Sequence, residues 1–248
     1  LLLSEAGVTH TVVVFGSTRI AEPATAQYRV DRLHEELQAE PDNRELKHRL
    51  GVARRILKKS RYYNDARELG RLVAESGKGS LDNRLVVMTG GGPGIMEAAN
   101  RGAFDAGAKT VGLNIDIPLE QYPNPYISPE LCFRFRYFAL RKMHFLQRAR
   151  ALVAYPGGYG TLDELFETMT LIQTRTIKPV PVVLVGRQYW QRAVDFDVLL
   201  DEGVIDSEDR DIFWFAENAQ EAWQGILDWY EQSGEPLIPS GPSEQEHI

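Results

Sequence analysis

The segment Tyr155-Pro156-Gly157-Gly158-Tyr159-Gly160-Thr161-Leu162-Asp163-Glu164 places glycines, a hydroxyl and carboxylates between two apolar patterns. Before it lies the run Ala151 to Tyr155, and after it Leu165, Phe166, Met169 and Ile172 recur at helical spacing. A strand that passes through a glycine turn into a helix aims several backbone N–H groups at one spot, with the positive end of the helix dipole behind them. Such a place binds phosphate. Gly157, Gly158 and Gly160 carry no Cβ, so an anion can approach the backbone closely, and Thr161 is expected to cap the helix and offer its hydroxyl. Glu164, three residues on, has the spacing of a capping-box glutamate. The same carboxylate on the first helical turn faces the sugar of a bound phosphate ester, where glycosidic hydrolysis needs one.

Two other glycine or cationic segments join it. Thr89-Gly90-Gly91-Gly92-Pro93-Gly94-Ile95-Met96-Glu97-Ala98-Ala99 reads as a strand end, a tight turn and a helix start. Gly91, Gly92 and Gly94 there either meet a ligand or let helix and strand pack closely. Gly16, Ser17, Thr18 and Arg19 follow the β-branched run Thr11 to Phe15, where hydroxyls and a guanidinium would meet a phosphate or base, or else supply turn chemistry with a solvated arginine. Leu140-Arg141-Lys142-Met143 sits in an expected helix, and spacing alone makes Arg141 a surface residue, since helix arginines are mostly exposed.

Pro156 to Glu164 resembles the PGGxGTxxE signature of the LOG family, the cytokinin-activating nucleoside 5′-monophosphate phosphoribohydrolases often mislabelled lysine decarboxylases. Thr89 to Ala99 is similar to that family's upstream glycine loop and Leu140 to Met143 to its arginine-lysine element, so the resemblance runs in order from Val12 to Trp190. Gly112-Leu113-Asn114-Ile115 with Asn124-Pro125-Tyr126 resembles a bacterial branch. The resemblance implies hydrolysis of a nucleoside 5′-monophosphate, a cytokinin riboside monophosphate or AMP, to free base and ribose 5-phosphate without a cofactor. It makes Glu164 and Arg141 catalytic. Gly157, Gly158, Gly160, Thr161, Gly91, Gly92, Gly94, Gly16, Ser17 and Lys142 become substrate-binding residues, and the assembly at least a homodimer with its sites near the subunit contact. A broader purine or pyrimidine nucleotide nucleosidase and a non-catalytic nucleotide or cofactor carrier are the alternatives. The first turn, Gly16 to Ala21, lacks the GxGxxG spacing of a dinucleotide site. Lysine decarboxylation would need a pyridoxal-binding lysine, which no motif nominates.

These residues need a frame. Apolar runs at Thr11–Phe15, Arg84–Thr89, Lys109–Ile115, Ala151–Tyr155 and Val180–Gly186 read as strands, with short ones at Leu131–Phe138 and Ile212–Phe215. Helical patterns lie between them at 24–38, 44–76, 95–106, 139–150, 190–200 and 219–229, with Asp42 or Asn43 capping the second. The alternation predicts an α/β fold, a Rossmann-like doubly wound parallel sheet with helices on both faces. A single domain over 1–231 is expected, with a helical insertion at about 24–77 and a disordered tail at 232–248.

Composition narrows the partners. A net charge of -7 and a pI of about 5.4 argue against nucleic acid or an anionic membrane surface as a general partner. Arg54, Arg55, Lys58, Lys59 and Arg61 interleave with apolar residues and read as a solvated helix face or an oligomer contact. No apolar run approaches the ~20 residues of a spanning helix. The single cysteine, Cys132, excludes an internal disulfide and suits a cytoplasmic protein with a core thiol. The five histidines show no metal-ligand spacing, so no metal is expected.

Overall fold

A computed structural model describes residues 2–76, 81–116 and 122–238. In chain order the elements are α1 (Leu2–Glu5), β1 (His10–Phe15), α2 (Pro23–Ala39), α3 (Arg44–Lys59), α4 (Arg61–Ala74), β2 (Leu85–Thr89), α5 (Ile95–Asp105), β3 (Thr110–Ile115), β4 (Cys132–Phe135), α6 (Phe138–Leu146), β5 (Ala149–Ala154), α7 (Tyr159–Gln173), β6 (Val182–Val185), α8 (Arg187–Ala193), α9 (Phe196–Asp201), β7 (Phe213–Ala216) and α10 (Ala219–Ser233). The strands form one parallel sheet in the order β4-β3-β2-β1-β5-β6-β7.

The continuous apolar character of β1 follows from burial on both faces. Val12 and Val14 pack against α4, α5 and α10 through Tyr63, Leu69, Ile95 and Ile226. Val13 and Phe15 enter a second core with Phe145 of α6, Leu165 of α7 and Trp190 of α8. The sheet is doubly wound, with helices on each face. From β1 the chain steps outward to β4, then returns beside β1 and steps the other way to β7. Loops following β1 and β5 therefore part in opposite directions, which leaves a crevice at the carboxyl edge between them. α2 and α3 stand apart as a helical hairpin with its own small core of Val30, Leu33, Leu46, Leu50 and Ala53. Asn43 caps α3, its side chain accepting from the N–H of Leu46 at 3.0 Å.

Several boundaries differ from the sequence reading. The helix expected over 44–76 is two, parted at Ser60, whose hydroxyl donates to the Leu57 carbonyl at 2.7 Å. The helix expected over 139–150 stops at Leu146. Arg148 is drawn out of it by donating to Val8 O at 2.8 Å and Ser4 Oγ at 2.9 Å, and β5 begins at Ala149. The helix expected over 190–200 is split into α8 and α9, with Asp195 capping the second by accepting from Val198 N. Cys132 is half-buried on the edge strand β4 rather than in the core, and burial still pushes its thiol up. Position 232 is too early for a disordered tail: α10 continues to Ser233, and Leu237 and Ile238 pack against the core. Residues 239–248 lie outside the described residues, as do 117–121 of the proline-rich loop. Among the described residues no helix is long and apolar enough to cross a membrane.

Candidate functional site

A cleft of about 620 Å³ opens at the carboxyl edge over β1 and β5. Two glycine turns and one helix build it. Ser17 donates its N–H to Pro156 O at 3.0 Å, which ties the β1 loop to the β5 loop, and accepts through its own carbonyl from Ile95 N at 3.2 Å, which ties it to α5. Gly16 is required by this contact, because a Cβ there would come within 2.5 Å of the Ile95 side chain. Gly94, with φ of 74°, starts α5 against the same loop.

The β5 loop runs into α7 one turn earlier than the capping-box reading requires. Gly158 is the N-cap, no side chain caps it, and Thr161 falls inside the first turn. The capping box between Thr161 and Glu164 is therefore absent. Instead the N–H groups of Tyr159 and Gly160 have no acceptor among the described residues, as expected of a helix start open to an anion. A Cβ on Gly158 or Gly160 would meet nothing within 4 Å, whereas one on Gly157 would collide with Thr161 Oγ1. Tyr189 holds this turn from the far side by donating its hydroxyl to Gly157 O.

Glu164 lies on the cleft wall, its side chain only 6% exposed, with Oε1 3.4 Å from Nη2 of Arg141. Arg141 reaches it from α6 and is itself 13% exposed. Its guanidinium lies between the Phe138 and Phe145 rings, at 5.2 and 5.5 Å, and its Nε has no partner. Burial raises the Glu164 carboxyl from the usual range to about 7, and the neighbouring Arg141 and Lys142 charges only partly oppose that. Burial likewise lowers Arg141, against the pull of Glu164. A carboxyl poised near neutrality can hold or release a proton at the cleft wall.

The cleft thus gathers Gly16, Ser17, Gly157, Gly158, Gly160 and Thr161 together with Arg141 and Glu164. Lys142 does not join them: its Nζ is held by Asp163 at 2.8 Å and Glu167 at 2.9 Å. Gly90 lines the cleft, but Gly91, Gly92 and Gly94 stand behind it. Gly91 donates to Thr89 Oγ1 at 2.9 Å, Thr89 donates to Asn100 Oδ1 at 2.7 Å, and Asn124 bonds the same oxygen at 2.9 Å and Gly92 O at 3.2 Å. This buried network fixes the turn. Sequence reasoning missed Tyr189, Phe138, Lys59 and Ile56 on the cleft wall. Tyr189 had a signal, an aromatic residue just past the carboxyl end of a core strand; Ile56 and Lys59 had none, because they arrive from α3. Among the described residues no three His, Cys, Asp or Glu side chains converge to hold a metal.

A protein-family model described as possible lysine decarboxylase matches residues 96–226. The cytokinin riboside 5′-monophosphate phosphoribohydrolase LOG4 of Arabidopsis thaliana is 32% identical over 168 residues, covering 66% of this chain and 74% of that protein. The probable cytokinin riboside 5′-monophosphate phosphoribohydrolase LOG4 of Oryza sativa subsp. japonica is 33% identical over 149 residues, 58% of this chain and 64% of its own length. Both are plant proteins and neither singles out a bacterial branch. In fold, the chain is similar to the structural-genomics target TM1055, with a TM-score of 0.55 at 24% identity over 88% of this chain and 99% of that one. It is also similar to the Moco carrier protein of Chlamydomonas reinhardtii, with a TM-score of 0.50 at 20% identity over 90% and 99%.

Proposed function

Because this chain belongs to the lysine-decarboxylase-like LOG family, we propose that it hydrolyses the N-glycosidic bond of nucleoside 5′-monophosphates. The products are free base and ribose 5-phosphate, and cytokinin riboside 5′-monophosphates or AMP are the substrates. The observation that carries this reading is the buried Glu164 beside Arg141 on the wall of a cleft that begins at an open helix N-terminus.

The first turn of α7 holds the 5′-phosphate with backbone N–H groups and the Thr161 hydroxyl. Ribose then extends toward Arg141 and Glu164. As the bond from C1′ to the base nitrogen breaks, its electron pair leaves with the base and the ring gains oxocarbenium character, which ionised Glu164 stabilises. Glu164 then takes a proton from the water that adds at C1′, and the departing base takes up a proton in turn. Arg141 fixes the carboxylate and the sugar in register.

The reading also carries an assembly. Tyr137, Leu140 and Met143 of the α6 segment and Tyr159 at the cleft mouth are exposed apolar side chains, and we read them as the contact with a second copy in a homodimer.

The test is incubation with AMP and with adenosine, with base and ribose 5-phosphate measured by chromatography. Equimolar products from AMP and a far lower kcat/KM for adenosine are expected, since the neutral nucleoside gives the loop nothing to hold. Glu164→Gln should lower turnover by about 10²-fold or more. Stoichiometric binding with every monophosphate recovered intact would replace the hydrolase with a carrier.

A further inference from the structure

The hairpin of α2 and α3 lies outside the sheet sandwich, yet it reaches the cleft. Ile56 and Lys59 of α3 are on the cleft wall. A second pocket, of about 310 Å³, opens where the hairpin meets the β1 loop, with Arg19, Thr25, Arg29, Arg32 and Ile56 around it. Arg19 and Ile56 line both, so the two spaces adjoin. Among the described residues no carboxylate lines the second one. Arg32 has an exposed contact with Glu36 at 3.3 Å, while Arg19, Arg29 and Lys59 have no carboxylate partner among the described residues. Behind them α3 carries seven Lys or Arg against one Glu, none in an ion pair among the described residues, in a chain whose net charge is -7.

A solvated helix face accounts for Arg54, Arg55 and Lys58. It does not account for three arginines from two separate segments converging on one concavity beside the cleft. Like charges so placed repel one another unless an anion lies between them, and guanidinium forks match phosphoryl and carboxylate oxygens in pairs.

We propose that this annex is a second anion site, so that the cleft accepts a nucleotide bearing a second phosphoryl or carboxylate group away from its 5′-phosphate. The inference rests on the nucleotide reading of the main cleft and narrows its substrate class. Arg19, between the two spaces, would contact both parts of such a ligand.

The experiment compares the wild type with Arg29→Ala/Arg32→Ala, and with Lys47→Ala/Arg49→Ala as a control for the general field of α3. Arg29 and Arg32 are exposed, so the fold should survive their loss, and circular dichroism checks it. Steady-state kcat/KM is measured for AMP, adenosine 3′,5′-bisphosphate and adenylosuccinate, and Kd for inorganic pyrophosphate by calorimetry. The annex variant should lose about 10-fold more on at least one doubly anionic nucleotide than on AMP, and the control should show no such selectivity. Weakened pyrophosphate binding without selective loss on those nucleotides would overturn the assignment to substrate and leave a site for a separate anion. Equal losses on all nucleotides with an unchanged pyrophosphate Kd would overturn the annex altogether. If nothing is hydrolysed, nucleotide Kd values replace kcat/KM, so failure of the hydrolase reading is seen apart from failure of this one.

Discussion

At Glu164, one side chain had two sequence readings, and a shift of the helix start removes the capping one. Because α7 begins at Tyr159, Thr161 cannot cap it and the carboxylate is free to meet Arg141. Arg141 was legible only through the family motif, yet a local signal existed: Phe138, Arg141 and Phe145 fall at i, i+3 and i+7 on one face of α6, so an arginine between two aromatics was already turned inward. The raised Glu164 carboxyl has a consequence for stability. Its folded value of about 7 lies above the unfolded 4.5, so the native state binds the proton more tightly, and stability present at low pH is lost as pH rises through about 7. Glu164→Gln imitates the protonated form. Its melting temperature should match the wild type near pH 4 and exceed it near pH 8, by on the order of 1–3 kcal/mol of stability. Calorimetric scans at the two pH values check this, and a pH-independent difference would mean that Glu164 titrates normally.

Among the elements, the strands were the most readable, because burial on both faces writes itself as unbroken β-branched runs such as Thr11 to Phe15. Helix ends were least so. Nothing local announces that Arg148 will leave α6 to bond Val8 O and Ser4 Oγ, a contact with residues more than a hundred positions away. The glycines show the same divide: all looked alike in sequence, but they do different things. Gly157 is packed against Thr161, so Gly157→Ala should cost about 1–3 kcal/mol through overpacking. Gly158 faces open space with φ of -99°, so Gly158→Ala should keep the melting temperature yet weaken AMP binding if, as proposed, the phosphate approaches there. Thermal melts and AMP titrations on the two variants separate these roles; equal effects on both quantities in both variants would refute the division.

For the whole molecule, alternation of strands and helices gave away a parallel doubly wound sheet, but not the order of its strands. Order depends on which crossovers pack over which face, a property of the assembled core rather than of any one segment. Nor did the sequence reveal that the helical hairpin would lean over the crevice, since its seam of Val30, Leu33, Leu46 and Leu50 records only the pairing of α2 with α3. One short element joins the candidate site to the proposed subunit contact. α6 turns Phe138 and Arg141 toward the cleft, buries Phe145 in the core and leaves Leu140 and Met143 on the outside, with few turns to hold it in place. The helix that aims the guanidinium is then steadied by whatever covers its back. Rate per molecule should therefore not be a constant of this protein: it should fall on dilution as copies separate, and Leu140→Glu should reproduce that fall at high concentration. Assays from nanomolar to micromolar protein, with sedimentation alongside, would show it, and an undiminished rate from a proven monomer would free catalysis from assembly.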